Sequence, residues 1–551
     1  MKKQRISGYN KKNQSQPLSP QVRQWIQAAQ NHLKNNQYQE ALEISRNLEQ
    51  TLKSVPEQSS LCLTAVLWQI RALQAMKQTA ELDSRIQDYI QFASDCHDNA
   101  HQIQGYRLLT QRQMDASRWQ DAIESLAQAL DIAIRAQDGK NAFELLMHMS
   151  AIEIKSALYC DAMEHLARGL SILDDAGISH EEAREIKAIG QRQLCELFDK
   201  TGEGEAACNA LEAAMSTPCH DIEEHWLQQI LLSQFDRRFG NAIDALDKLQ
   251  NIKSEITQHD AMRYHNQLEM VELEIAHTLH ILGNYEESEN VLSRIQADAT
   301  PIQRAISLIR YQWAVESGLP HANPDTAKAQ FDQMPPSDDP ADRPVCYAAE
   351  IALAAQEIMY GHLEQAFDLL QQVSEKAIFT ELIPISTRSQ LLMAEIEFIQ
   401  KKYEACACRA RDVTEAFIQH VDDVSAKQSA ALMLRAQYEV SLQASGGDTV
   451  NLDKVENASY QQLLSDCSRY LQHGHIEAFL DLGLELANLS FRTGDIEQSK
   501  ALITQLEPHI DPTFMAWRAC RFYQLKYKLY HSKKDIDQRN QIIQSNHFVL
   551  E

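Results

Sequence analysis

Seven times along the chain two small residues stand twelve positions apart, and a large apolar residue lies three places before the second. The pairs are Ala29/Ala41, Thr110/Ala122, Ser150/Ala162, Ala276/Ser288, Ala354/Ala366, Ala394/Cys406 and Ala487/Ser499. The large residues are Tyr38, Trp119, Tyr159, Tyr285, Leu363, Tyr403 and Ile496. This pattern predicts two helices joined by a tight turn. The small residues allow the helices to cross closely, and the large one fills the gap beside the turn. No run of alternating Val, Ile and Thr predicts a strand.

The first unit, residues 22–55, is the clearest. Trp25 is a large residue of its first helix, Asn35-Asn36 makes the turn, and Leu48 continues the buried face of the second helix before Pro56 stops it. The second small position falls at 41, 122, 162, 288, 366, 406 and 499, and all steps but the last divide into units near 40 residues. Weaker units are therefore expected near residues 80, 205, 242, 327 and 450. The run at 202–215 and that at 237–249 read as two of them.

Trp25, Ala29, Tyr38 and Ala41 occupy the four signature places of the tetratricopeptide repeat, which this unit resembles. Tyr106, Thr110, Trp119 and Ala122 match the same places, and the run at 282–292 is the most family-like turn. The longer period is similar to that of the sensor domain of MalT-type transcription activators and related bacterial regulators. The resemblance covers roughly residues 20–540. It implies an all-α, right-handed superhelical solenoid of about a dozen hairpins. Other α-solenoids, such as HEAT-like arrays, have a similar period and are the minor alternative.

Two breaks interrupt the array. Residues 319–344 hold six of the fourteen prolines, with room for a short helix around Thr326–Gln333. This stretch is expected to be an insertion or hinge between an N-terminal lobe, 20–318, and a C-terminal lobe, 345–551. The second break is the loop Ser445-Gly446-Gly447-Asp448. Residues 1–19, with five basic residues and no acid, are expected to form a disordered basic tail. They have no apolar run behind them and do not read as a secretory signal.

Composition narrows the function. The net charge of −25 opposes a direct nucleic-acid binder, which needs a basic face. No stretch approaches the roughly 20 apolar residues of a membrane span. Eleven cysteines without a framework, among them Cys160 and Cys406 at packing positions, predict buried reduced thiols in a cytoplasmic protein. There is no GxxxxGK[ST] phosphate loop, no helix-turn-helix module after the array, no kinase signature and no GxSxG elbow. The chain thus resembles the sensor part of such regulators standing alone.

Two clusters have metal-like spacing: Cys96-His97 with His101, and Cys219-His220 with Glu224 and His225. Neither has a second ligand pair nearby, and both read as surface clusters. No cofactor, metal or catalytic residue is expected.

The resemblance implies that first helices line a concave groove. Carried over residue by residue, its groove-facing places are Arg23, Gln30 and Lys34; Gln104, Arg107, Gln111 and Asp115; Glu144 and Lys155; His277 and His280; Arg388 and Glu395; and Asp481, Asn488 and Arg492. The unit at 347 puts Ala348, Ile351, Ala355, Ile358 and Met359 there, an apolar set that predicts packing against a neighbouring segment rather than a docking patch.

The expected function is a non-catalytic scaffold or adaptor that binds a protein or peptide in the groove and regulates signalling or transcription, with a homodimer as a further option. The alternatives are a peptide- or effector-sensing module that changes superhelical pitch and, remotely, a superhelical enzyme.

Overall fold

In the computed structural model, residues 19–173, 177–217, 220–260, 262–295, 300–317, 323–334, 342–445 and 456–549 are described. They form an all-α repeat solenoid of helical hairpins. The first helices of the hairpins are α1 (Pro20–Lys34), α3 (Ser59–Ala75), α5 (Asn99–Asp115), α7 (Gly139–Lys155), α9 (His180–Thr201), α11 (Ile222–Arg238) and α13 (His265–Ile281). They continue with α15 (Thr300–Ser317), α17 (Arg343–Met359), α19 (Ile383–Ile399), α21 (Asp423–Ala444), α23 (Ile476–Arg492) and α25 (Ala516–Tyr530). Their partners are α2 (Tyr38–Leu52), α4 (Thr79–Asp95), α6 (Trp119–Arg135), α8 (Tyr159–Ser171), α10 (Gly204–Ser216), α12 (Ala242–Asp260) and α14 (Tyr285–Arg294). The rest are α16 (Pro324–Asp332), α18 (Leu363–Phe379), α20 (Tyr403–Gln419), α22 (Glu456–Gln472), α24 (Ile496–Leu506) and α26 (Lys533–Asn546). The weaker units expected from the period are helical hairpins, with Leu82, Ala207 and Ala245 buried.

The period near 40 has a local cause. Many helices are 17 residues long and end in a three-residue turn whose middle residue is left-handed. Lys77, His97, Ser117, Gln137 and Ala157 follow one another at 20-residue steps with φ between 54° and 57°. Glu381, Lys401 and Val421 repeat this at 59°, 63° and 55°. In each turn the next residue's N–H donates to the carbonyl five residues back, as Gln78 does to Leu73 and Lys402 to Glu397. This is the Schellman cap, which satisfies otherwise orphaned carbonyls.

The small-residue pairs are the close contacts of the array. Each of the fourteen is buried, and Ser499 Oγ donates to the Ala487 carbonyl at 2.8 Å, across the twelve-residue hairpin. A serine there tightens the crossing without leaving its hydroxyl unpaired.

The chain comprises two compact units: unit 1 is Met1–Ile152 with Arg168–Ile178, and unit 2 is Glu153–Ala167 with Ser179–Glu551. The proline-rich stretch lies within unit 2. Its short helix, α16, is capped by the Asn323 side chain, and a hinge there remains a proposal. The basic tail, apart from its last residue, and the glycine loop after Ser445 lie outside the described residues.

Unit 2 has a second order of packing. Its first helices touch not only their sequential neighbours but also those five hairpins on: α9 packs on α19, α11 on α21, α13 on α23 and α15 on α25. Ile243 N–H donates to the His473 carbonyl at 3.2 Å, Arg469 Nη1 to the Phe239 carbonyl at 3.1 Å, and Ser317 Oγ to the Phe514 carbonyl at 3.1 Å. Tyr285 stacks on Phe514 with ring centroids 5.1 Å apart. Glycines permit the approach: a Cβ on Gly474 would stand 2.7 Å from Ile243 and Leu282.

The apolar set of the 347 unit is packed. Met359 joins Tyr311, Val315, Ala516 and Phe548 in one core, with Ala327 of α16 and Ala355 at its edge. The covering segment is mainly the C-terminal one, and Val549 N–H donates to the Met359 carbonyl at 2.9 Å. Cys406 is buried, but Cys160 is exposed, which corrects its expected burial. Its N–H donates to Glu381 at 2.7 Å. No described helix is long and apolar enough to cross a membrane.

Candidate functional site: two first-helix faces

In unit 1 the first-helix register carries a polar, basic face. Arg23, Gln30 and Lys34 on α1 are exposed, and no ion pair or side-chain hydrogen bond engages them among the described residues. Arg71 and Gln74 occupy the matching places on α3 and are also exposed. On α5, Gln104 is half-buried, and Gln111 donates to Asp115 at 2.9 Å. Arg107 reaches to α7, where its Nη2 meets Glu144 at 2.7 Å and Asn141 at 3.1 Å. Arg107 and Glu144 are thus brought together as a pair, whereas Arg23, Lys34 and Arg71 keep their charges uncompensated. Lys155, at the end of α7 and in unit 2, is exposed.

Arg71 and Gln74 were not among the residues read from the sequence. Their unit has Ile70 and Leu82 where other units have small residues, so only the 40-residue step pointed to it.

In unit 2 the same register faces an inner wall crossed by ion pairs. Arg518 of α25 lies 2.7 Å from Asp481 and 2.7 Å from Glu477, both of α23, and 3.7 Å from Glu316 of α15. Arg435 of α21 and Arg521 of α25 both pair with Glu485 of α23. Arg237 of α11 pairs with Glu274 of α13 and donates to Thr278 at 3.0 Å. His280 is fully engaged: it stacks on Trp313 at 4.3 Å and bonds Glu316 through Nε2 at 3.1 Å. Arg492 pairs with Glu439 at 2.9 Å. Asp481 also accepts from Gln428 at 3.2 Å.

The charges follow from this packing. Burial by itself raises the Glu485 carboxyl, but Arg435 and Arg521 more than reverse it and hold it at about 2. Glu477 is likewise raised by burial and brought well below the carboxylate range by Arg518 and His280. Two groups on the wall are unmatched. Burial pushes Glu395 up to about 7, helped by Glu485 and Asp481 and opposed by Arg388 and Arg521. His277 is exposed at the wall's surface, but the helices crowded around it desolvate the ring and lower it to about 4, with Arg237 adding to the effect. Asn488 is half-buried, and Arg388 is exposed.

Of the sequence-derived residues on this face, three of seven are engaged within the chain. His280, Asp481 and Arg492 have intramolecular partners, whereas His277, Arg388, Glu395 and Asn488 make no side-chain hydrogen bond or ion pair among the described residues.

Elsewhere in unit 2, a cleft of about 460 Å³ between α19 and α20 is lined by Gln390, Glu397, Cys408, Arg409 and Asp412. Arg409 donates to Glu397 at 2.8 and 3.1 Å and also to Gln390, so its donors are engaged within the wall. Among the described residues, no group of three or more His, Cys, Asp or Glu is placed to hold a metal ion. In the first His cluster, His101 Nδ1 bonds the Tyr89 hydroxyl at 2.6 Å. In the second, Glu224 is paired with Arg192 at 2.9 Å.

No protein-family model matches the chain. No curated protein matches its sequence either. Among solved structures, the APC/C hetero-tetramer Cut9-Hcn1 is similar over 96% of this chain and 88% of its own, at 12% identity and a TM-score of 0.46. The apo form of RapI covers 69% of this chain and 98% of its own, at 13% and 0.38. A Rap protein complexed with competence and sporulation factor covers 74% and 98%, at 10% and 0.36. The hairpin geometry of the chain itself, with its buried small pairs and 17-residue helices, is what makes it an all-α repeat solenoid.

Proposed function

We propose that the chain is a non-catalytic binding protein whose first-helix face in unit 1 holds an extended, acidic segment of a protein partner. The observation that carries this is the set Arg23, Lys34 and Arg71: three exposed cations on one register, without carboxylate partners among the described residues, in a chain of net charge −25. Beside them Gln30, Gln74 and Gln104 offer amides that both donate to and accept from a peptide backbone. In so acidic a molecule this local excess of positive charge favours an acidic ligand and speeds its encounter. The unit 2 face is less suited to the task, because ion pairs already join its walls. Acting through such a partner, the protein serves as a regulatory adaptor in signalling or transcription control.

The test is capture of partners by the tagged full chain, compared with a Lys34→Glu/Arg71→Glu variant. A partner that binds the parent chain but not the variant, and that loses binding when its own acidic segment is neutralised, supports the reading. A partner held equally by both proteins overturns it.

A further inference from the structure

We propose that the packing between hairpins five apart in unit 2 is an acid-released seam, held closed by neutral His420 and His475 and opened when these imidazoles take up protons. Both residues stand in turns of the seam. His420 follows α20, and its ring lies against the α9–α10 turn, where a Cβ on Gly202 would come 2.6 Å from Nε2. Gly204 of the same turn lies against the His420 carbonyl. His475 is the cap residue of α23. In its turn the His473 carbonyl accepts from the Ile243 N–H of α12 at 3.2 Å, and Gly474 lies against Ile243 and Leu282. His420 and His475 are 6% and 5% exposed, so neither ring reaches water while the seam is closed.

Each ring is placed for its neutral form. His475 Nδ1 accepts from the Ala478 N–H at 3.2 Å, and a proton on that nitrogen removes the cap of α23. His420 Nδ1 is buried with no hydrogen-bond partner among the described residues, and a proton there becomes a buried donor without an acceptor. The charged neighbours are committed elsewhere. Around His420, Asp199 is held by Arg238 at 2.9 Å, and Asp422 accepts from the Ser425 N–H at 3.0 Å. Glu203, between the two glycines, is exposed, and Lys200 lies 5.1 Å over the Tyr159 ring. Around His475, Glu477 pairs with Arg518, Arg237 with Glu274 and Asp236 with Lys248, while His473 is exposed. Burial lowers His420 and outweighs Asp422 and Asp199, with Arg238 adding to it. Burial likewise lowers His475 and outweighs Glu477, the residue's own backbone and Asp422, with Arg237 adding to it. In an open seam both rings return to water and to the ordinary value of 6.5, so the open form binds more protons. Closure is therefore full above about 6.5 and weakens as pH falls below it. Glu477 and Glu485, held at about 2, stay ionised through this range and keep their own ion pairs.

The experiment is hydrogen exchange of the full chain, read by mass spectrometry at about pH 7.5 and about pH 5 and corrected for the pH dependence of intrinsic exchange. Protection of the Ile243 amide is expected to fall by about tenfold or more at the lower pH, while amides in the middle of α11 and α23 keep theirs. Two variants assign the effect. His475→Asn retains a side chain that caps α23 but does not titrate, and His420→Leu replaces the ring with an apolar group. Each is expected to lose part of the acid response, and the double variant nearly all of it. Circular dichroism melts at neutral pH establish that the variants are folded. Where the double variant has already lost Ile243 protection at neutral pH, the single variants decide. An acid response unchanged in both single variants overturns the proposal. So does an equal loss at Ile243 and in the mid-helix amides, or no loss at Ile243 in the parent chain.

Discussion

Gly240, in the turn between α11 and α12, faces the ring of Tyr470 at the end of α22, and a Cβ on it would lie 2.5 Å from two ring carbons. The ring has no room to retreat, because its hydroxyl donates to Asp423 Oδ2 at 3.0 Å. Gly240 also has φ +86°. Gly240→Ala therefore combines left-handed strain with a steric clash. We expect a loss of about 2–4 kcal/mol in denaturant unfolding. Gly494, with φ +85° and nothing within 4 Å of a Cβ, separates the two effects. Gly494→Ala is expected to lose only about 1–2 kcal/mol. Equal losses at the two sites would count against close packing between hairpins five apart.

Arg518 holds three carboxylates from two other helices. Arg518→Ala leaves Glu316, Glu477 and Asp481 facing one another, with a cost of about 3–5 kcal/mol. Adding Glu477→Gln and Asp481→Asn removes most of the uncompensated charge and is expected to restore part of the loss. Hydrogen exchange in Arg518→Ala should quicken in α15 and α23 together. Quickening confined to α25 would show that Arg518 does not join them.

Glu395 gives a pH signature with a definite sign. Its carboxyl rises from 4.5 to about 7 on folding, so the folded state binds more protons between those values. Stability contributed by the protonated group is full below 4.5 and is lost as pH rises through 7. Glu395→Gln keeps the neutral form at every pH. It is expected to raise the melting temperature above about pH 7 and to leave it unchanged below about 4.5. Glu485 behaves oppositely. Held at about 2, it contributes stability above the ordinary carboxylate range that is lost as pH falls through that value. A melting difference between Glu395→Gln and the parent chain that does not vary with pH would refute the assignment.

Lys34→Glu and Arg71→Glu change exposed residues without partners among the described residues, and both are expected to move unfolding free energy by no more than about 0.5 kcal/mol. Arg107→Glu has a different character: it breaks the pair with Glu144 and places two carboxylates together. A partner lost with Arg71→Glu at unchanged stability separates recognition from folding. A loss of stability comparable to that of Arg107→Glu would show that Arg71 has a structural role instead.

The repeat was legible because the close-packing positions admit few residue types. Ala29, Ala41, Ala276 and Ala487 are all fully buried, and a larger side chain at any of them would separate two helices. The turns were less legible. Left-handed residues such as Lys77, Gln137 and Val421 carry none of the glycine or asparagine signal that revealed Asn36 and Gly283. The first-helix register was also readable, so Arg107 and Glu144 could be named, and they meet. What helical spacing does not encode is contact between hairpins five apart. His280 and Asp481 looked like free groove residues because their partners, Glu316 and Arg518, stand on the next first helix at places the repeat register had not singled out. Arg71 was passed over because Ile70 and Leu82 obscure the small-residue pair of its unit.

The five-hairpin contacts bear on how unit 2 comes apart. A repeat array whose modules touch only their neighbours behaves as a one-dimensional chain, and its ends fray or can be trimmed module by module. In unit 2 the removal of α25 and α26 would also strip a wall from α15, and the removal of α23 and α24 would strip one from α13. Every module near the C-terminus is thus a neighbour of one deep inside. Such a lattice melts as a block, and a truncation there is felt half the unit away.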